Sequence, residues 1–164
     1  MKIFALAAIA QAAASSSNWV LIEKRDPVTD LRSASTAVLS TSGEERLVVK
    51  CDGVGEPVVS VQFITKKYLG GSNERAVTIR FNQAPPLTLD WEYTSKGVFN
   101  RDEKVVRSIA NLIAKSEHVL IRAYNYEDQP VDGAFSVAGG ESQLRTVFRA
   151  CGYAFDQPLK SNKK

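Results

Sequence analysis

From Trp19 to Tyr126 the apolar residues recur mostly at every second position, in short runs broken by Gly, Pro, Asn and Asp. That is the pattern of half-buried strands joined by turns. In Leu47-Val48-Val49-Lys50-Cys51 the inward set is Leu47, Val49 and Cys51, with Lys50 left outward. In the run from Arg75 to Asn82 it is Val77, Ile79 and Phe81, with Thr78 and Arg80 outward. Further strands are expected at Trp19–Lys24, Ala34–Thr41, Val58–Thr65, Leu89–Thr94, Val119–Tyr126 and Ala134–Ala138. Turn chemistry falls at Asp52-Gly53, Gly70-Gly71-Ser72 and Asp132-Gly133.

Two stretches change period. Asn100-Arg101-Asp102-Glu103 reads as a helix start with Asn100 as the cap and a carboxylate three residues on, after which Val105, Val106, Ile109, Leu112 and Ile113 share one helical face. The second stretch opens near Gly140-Glu141-Ser142, carries Leu144, Val147, Phe148 and Cys151 at helical spacing, and stops at Gly152. The expected fold is therefore α+β, a mainly antiparallel β-sandwich or open barrel with one inserted helix and one C-terminal helix, occupying residues 19–155 as a single domain.

The start of the chain sets the compartment. Lys2 precedes the apolar run Ile3–Ala10, and the small residues Ala12-Ala13-Ala14-Ser15 close it, so residues 1–14 read as a secretory signal peptide cleaved after Ala12 or Ala14. The run falls short of the roughly 20 apolar residues that span a bilayer, so no membrane span is expected. An exported chain is periplasmic or secreted, where Cys51 and Cys151 are free to pair. Both point inward, one from a strand and one from the last helix. A bond between them would close a loop of about 100 residues and contribute roughly 4 to 5 kcal/mol in the chain-entropy model. The alternative arrangement is two separate buried thiols; the signal peptide favours the disulfide.

Composition narrows the partners. With 44% hydrophobic and 24% charged residues the chain is an ordinary globular sequence. Its net charge of +3 includes Lys2 and a basic, flexible tail over residues 156–164, which leaves a near-neutral fold. A near-neutral exported domain is a poor fit for nucleic acid, so none is expected as a partner. Trp91, Tyr93, Tyr124 and Tyr126 nevertheless place aromatic side chains on strands close in pattern to Arg80 and Arg122, which is the composition of protein-binding hot spots. These six form the candidate binding surface.

Catalytic chemistry finds little support. His118 is the only histidine, so a zinc site lacks ligands, and a hydrolase would need a pocket joining His118 to a Ser or Asp. No Gly-x-Ser-x-Gly elbow supplies a nucleophile. Asp26-Pro27-Val28-Thr29-Asp30 lacks the oxygen spacing of an EF-hand loop and reads as a turn. Gly139-Gly140 stands before a helix without the Lys-Ser/Thr of a P-loop, which points to close backbone approach or capping. The expectation is a protein that is not an enzyme and carries no cofactor.

Four segments in order carry a resemblance: Asp26-Pro27-Val28-Thr29-Asp30; Leu47-Val48-Val49-Lys50-Cys51-Asp52-Gly53; Ile79-Arg80-Phe81-Asn82 leading through Pro85 and Pro86 to Trp91 and Ser95-Lys96-Gly97-Val98-Phe99; and Ala134-Phe135-Ser136-Val137-Ala138-Gly139 leading to Ala150-Cys151-Gly152-Tyr153. In these the chain resembles the VasI-like, type VI secretion-associated family of small periplasmic proteins and their relatives in proteobacterial and phage genomes. It departs from that pattern at Asn82, where an Asp is usual, and at Tyr153, where a Trp is usual. The resemblance implies an accessory role through binding, with an envelope or secretion-apparatus protein as partner and no active site to carry over. The second expectation is a periplasmic binder or inhibitor of an envelope component or enzyme, using the Tyr124–Asp132 region as its contact surface.

Overall fold

The computed structural model describes residues 17–53, 55–71 and 73–156. The expected signal peptide and all of the expected tail except Asp156 lie outside the described residues. The chain forms eleven elements: β1 Val20–Arg25, β2 Arg32–Leu39, β3 Glu45–Asp52, β4 Val58–Thr65, β5 Glu74–Phe81, β6 Leu87–Tyr93, β7 Gly97–Asn100, α1 Glu103–Ala114, β8 His118–Tyr124, β9 Pro130–Ser136 and α2 Glu141–Ala150.

All nine strands join one antiparallel sheet in the order β1-β2-β3-β4-β7-β6-β5-β8-β9. It is an open sheet whose ends approach each other, the open-barrel form of the expectation. The Trp19 indole, just before β1, donates to the Val137 carbonyl, just after β9, at 2.9 Å. The Thr41 amide, just after β2, donates to the Ala134 carbonyl of β9 at 2.8 Å.

Period-2 alternation decides which face is buried, because successive side chains on a strand point to opposite sides. Leu47, Val49 and Cys51 of β3, Val77, Ile79 and Phe81 of β5, and Val119, Ile121 and Ala123 of β8 all turn to the concave face and are buried. The two helices fill that face. α1 lies against β4, α2 lies against β2 and β3, and the helices touch. The convex face carries the alternate residues and meets solvent.

Each helix end has a local cause. Asp102, not Asn100, caps α1: its Oδ1 accepts from the amides of Lys104 and Val105, both at 3.0 Å, while Asn100 belongs to β7. α2 stops at Gly152 (φ +71°), where the Tyr153 amide returns to Phe148 O and the Gly152 amide to Arg149 O, both at 3.0 Å. That pairing is a Schellman stop, which needs the left-handed conformation Gly adopts without steric cost. It leaves Cys151 turned onto β3, and Cys51 and Cys151 are disulfide-bonded with Cα atoms 5.6 Å apart. The two-thiol alternative is thereby removed.

Two local expectations are corrected. β7 was absent from the pattern because only four residues pair, and it docks between β4 and β6. Asp132-Gly133 lies inside β9 rather than in a turn. Gly133 is there for space: a Cβ would stand 2.7 Å from the Phe63 ring and 2.8 Å from the Phe135 ring. The turn itself is Asn125–Gln129, where Asn125 Oδ1 accepts from the amides of Glu127 and Gln129.

Candidate functional site

The expected contact set is divided by the sheet. Trp91 and Tyr93 face the concave side and are only 1% and 2% exposed, so neither belongs to a binding surface. Their places on β6 follow the inward set of their own strand, and large aromatic rings there fill the core. Tyr93 keeps its polar tip satisfied: the Tyr124 amide donates to its hydroxyl at 3.1 Å, and the hydroxyl donates to the Ala76 carbonyl at 3.4 Å. Arg80, Arg122 and Tyr126 are exposed and Tyr124 is half-buried.

Tyr126 does not stand alone. Its ring lies 5.7 Å from that of Tyr68, which is 53% exposed on the loop before β5, while Tyr126 itself is 62% exposed. Two solvent-facing tyrosines in tilted contact, their ring planes 56° apart, present a large amphipathic contact area with few rotatable bonds. The charge of neighbouring Glu127 pushes the Tyr126 phenol above its ordinary value, so the hydroxyl stays a neutral donor and acceptor at physiological pH.

A side chain not anticipated from the sequence holds this patch in place. The Arg75 guanidinium lies 5.0 Å from the Tyr93 ring centroid and donates to the Asn125 carbonyl at 3.2 Å and to Asp128 Oδ1 at 2.7 Å. It thereby fastens the β8–β9 turn to β5. Gly70 (φ +105°) brings the Tyr68 loop against the same turn, since a Cβ there would stand 3.0 Å from Tyr126 Cβ.

Beside this patch the convex face holds a groove of about 460 Å³. Arg80, Leu120 and Ala134 form one cross-strand row along its floor, in register Arg80↔Leu120 and Leu120↔Ala134. In the next row Arg122 donates to both oxygens of Asp132, at 2.7 and 2.6 Å, which holds the Asp132 carboxyl below the usual range. The far wall is the β2–β3 hairpin, where Glu45 is only 5% exposed and its Oε2 accepts from Ser40 and Ser42 hydroxyls, both at 2.8 Å. Nothing in the sequence beyond the Ser42-to-Glu45 spacing signals this buried carboxylate.

The other sequence candidates sit elsewhere. His118 is exposed at the head of β8, in register with Ser136, and its side chain makes no hydrogen bond among the described residues. Asp26 builds a turn, its Oδ1 accepting from the amides of Val28 and Thr29 at 2.8 Å. Gly140 caps α2 by close approach, with a Cβ position 2.2 Å from Trp19 Nε1. Among the described residues no group of three or more His, Cys, Asp or Glu is placed to hold a metal ion, and no helix is long and apolar enough to cross a membrane. Compared with protein-family models, curated proteins and solved structures, the chain gives no match to any of them.

Proposed function

We propose that this chain is an exported, non-catalytic binding protein of the cell envelope, an accessory of the kind its motifs resemble in the VasI-like, type VI secretion-associated family. The observation that supports this best is the Cys51–Cys151 disulfide, which joins residues 100 apart beneath the C-terminal helix. Such bonds persist in oxidising compartments and are rare in reducing ones. The contact surface is the loop patch of Tyr68 and Tyr126 at the end of the sheet, with a secretion-apparatus protein as its partner.

The first test is the intact mass of the chain recovered from the periplasm of an expressing bacterium, with and without reduction. A mass lacking the first twelve to fourteen residues, with two protons regained on reduction, supports export. An unprocessed cytoplasmic chain with two free thiols overturns it. Affinity capture from envelope extract then tests the partner: a defined secretion-apparatus subunit, lost with Tyr68→Ala/Tyr126→Ala, is the expected result. The groove beside the patch favours a second reading, a periplasmic binder of an envelope component. Capture of cell-wall fragments or of a cell-wall hydrolase would select it.

A further inference from the structure

The convex face at the first edge of the sheet is apolar, where a solvent-facing strand is ordinarily polar. Side chains alternate along β1, so Leu21 packs on the core while Val20 and Ile22 stand on the convex side, opposite Ala37 and Ser35 of β2. Leu39, two residues beyond Ala37, shares that side. Val20, Ile22 and Leu39 are 61%, 50% and 58% exposed. Scattered singly they would need no explanation, but all three line one groove of about 590 Å³. Only one charged residue lines it, Arg46 of β3, directly opposite Leu39. The Arg46 guanidinium makes no hydrogen bond or ion pair among the described residues, whereas Arg25, Arg75, Arg101, Arg107, Arg122 and Arg145 each hold a carboxylate. The neighbouring cations are accounted for: Lys50, level with Ser35, pairs with Asp52, and Lys24 lies past Ile22, outside the groove.

We propose that this groove binds a single anionic amphiphile, its acyl chain lying over Leu39, Val20 and Ile22 and its carboxylate on Arg46. The apolar floor supplies the contact, which has no direction of its own. A guanidinium meets a carboxylate through two parallel hydrogen bonds, so one unpaired Arg at one end fixes which way the chain lies. Register sets the length. Arg46 stands opposite Leu39 and Ile22 opposite Ser35, so the two ends are separated by four residues along β2 and by two strand spacings across it. At about 3.4 Å per residue and about 4.8 Å per strand, that diagonal is roughly 16 Å. Carbon–carbon bonds of about 1.5 Å at about 111° advance about 1.25 Å each, so about twelve to thirteen carbons cover it. No residue of the Tyr68 and Tyr126 patch lines this groove, so the inference goes beyond the protein-binding reading and does not depend on it.

The test is titration of the disulfide-bonded chain with laurate, dodecyltrimethylammonium and acetate below micellar concentrations, followed by amide chemical shifts. Saturable binding of laurate is expected, with shifts centred on β1 and β2. The cation of equal chain length should bind about tenfold more weakly or worse, and acetate should not saturate. Arg46→Gln brings laurate down to the level of the cation, while Lys24→Ala leaves the preference intact. Ile22→Ser/Leu39→Ser weakens both amphiphiles. All four positions are exposed, so these variants keep the fold. Equal binding of laurate and the cation, or a preference lost with Lys24 and kept without Arg46, overturns the proposal. So does binding to phosphatidylglycerol vesicles, or self-association abolished by Ile22→Ser/Leu39→Ser, without binding of monomeric laurate. Tyr68→Ala/Tyr126→Ala leaves laurate binding unchanged while abolishing capture of a protein partner, so the two readings fail separately.

Discussion

The indole N–H of Trp19 donates to the carbonyl of Val137 at 2.9 Å, a bond between residues 118 apart that holds the head of the first strand to the end of the last. Trp91, the other tryptophan, is equally buried, yet its Nε1 has no acceptor among the described residues. Changing each to Phe removes the same atoms, but only Trp19→Phe leaves a buried carbonyl without its donor. Trp19→Phe is therefore expected to cost about 1 to 3 kcal/mol more than Trp91→Phe. Urea denaturation of the two variants measures the difference; equal costs would contradict it.

Gly140 lies directly under that indole. Its φ of −82° suits any residue, so the constraint is space: an added Cβ would fall 2.2 Å from Trp19 Nε1 and 2.5 Å from Cε2. Gly140→Ala must displace a rigid ring and is expected to destabilise by about 1 to 3 kcal/mol, the usual cost of overpacking. Gly43→Ala serves as the contrast. Nothing lies within 4 Å of that Cβ, and only the φ of +76° resists it, at about 1 kcal/mol. Thermal unfolding of both variants checks the order.

Reducing the Cys51–Cys151 bond releases a loop of 100 residues. Replacing both cysteines with Ala is expected to lower stability by about 2 to 5 kcal/mol. The loss should concentrate where α2 meets β3, because the bond fastens that helix to that strand. Hydrogen exchange should show α2 amides losing protection before those of β4.

Three carboxylates titrate below their ordinary range in the folded chain. Hydrogen bonding to Arg122 does this for Asp132, hydrogen bonding to Arg145 for Asp156, and backbone amides of Thr29 and Val28 for Asp26. A group whose value is lower when folded stabilises fully above its unfolded value, near about 4, and loses that contribution as pH falls through the folded value. The urea midpoint should therefore be insensitive to these groups between pH 5 and 7 and decline below about pH 4. All three are surface groups, so the individual effects are small. Asp26→Asn, Asp132→Asn and Asp156→Asn combined should flatten the acid limb, and a limb unchanged in the triple variant would refute the assignment.

Much of this architecture is written locally. Alternation in Leu47–Cys51 and Arg75–Phe81 specifies which side chains turn inward, because the two-residue period of a strand leaves no other choice once one face must be buried. The spacing of Val106, Ile109 and Ile113 specifies a helix face, and Gly152 specifies where α2 ends. From the inward positions of Cys51 and Cys151, the sequence also allowed their disulfide.

Strand order, by contrast, is a property of the whole sheet. β7 pairs through four residues with β4 and two with β6, too few to leave a periodic trace. Asp132-Gly133 has the composition of a turn, yet the rings of Phe63 and Phe135 claim the space above Gly133 and keep it in β9. The surface was hardest to read. Trp91 and Tyr93 match exposed aromatics in type, but their register on β6 turns them inward. Tyr68 meets Tyr126 and Arg75 meets Asp128 only after distant strands close the sheet. Side chains far apart in sequence share a site through tertiary register, and that register has no local signature.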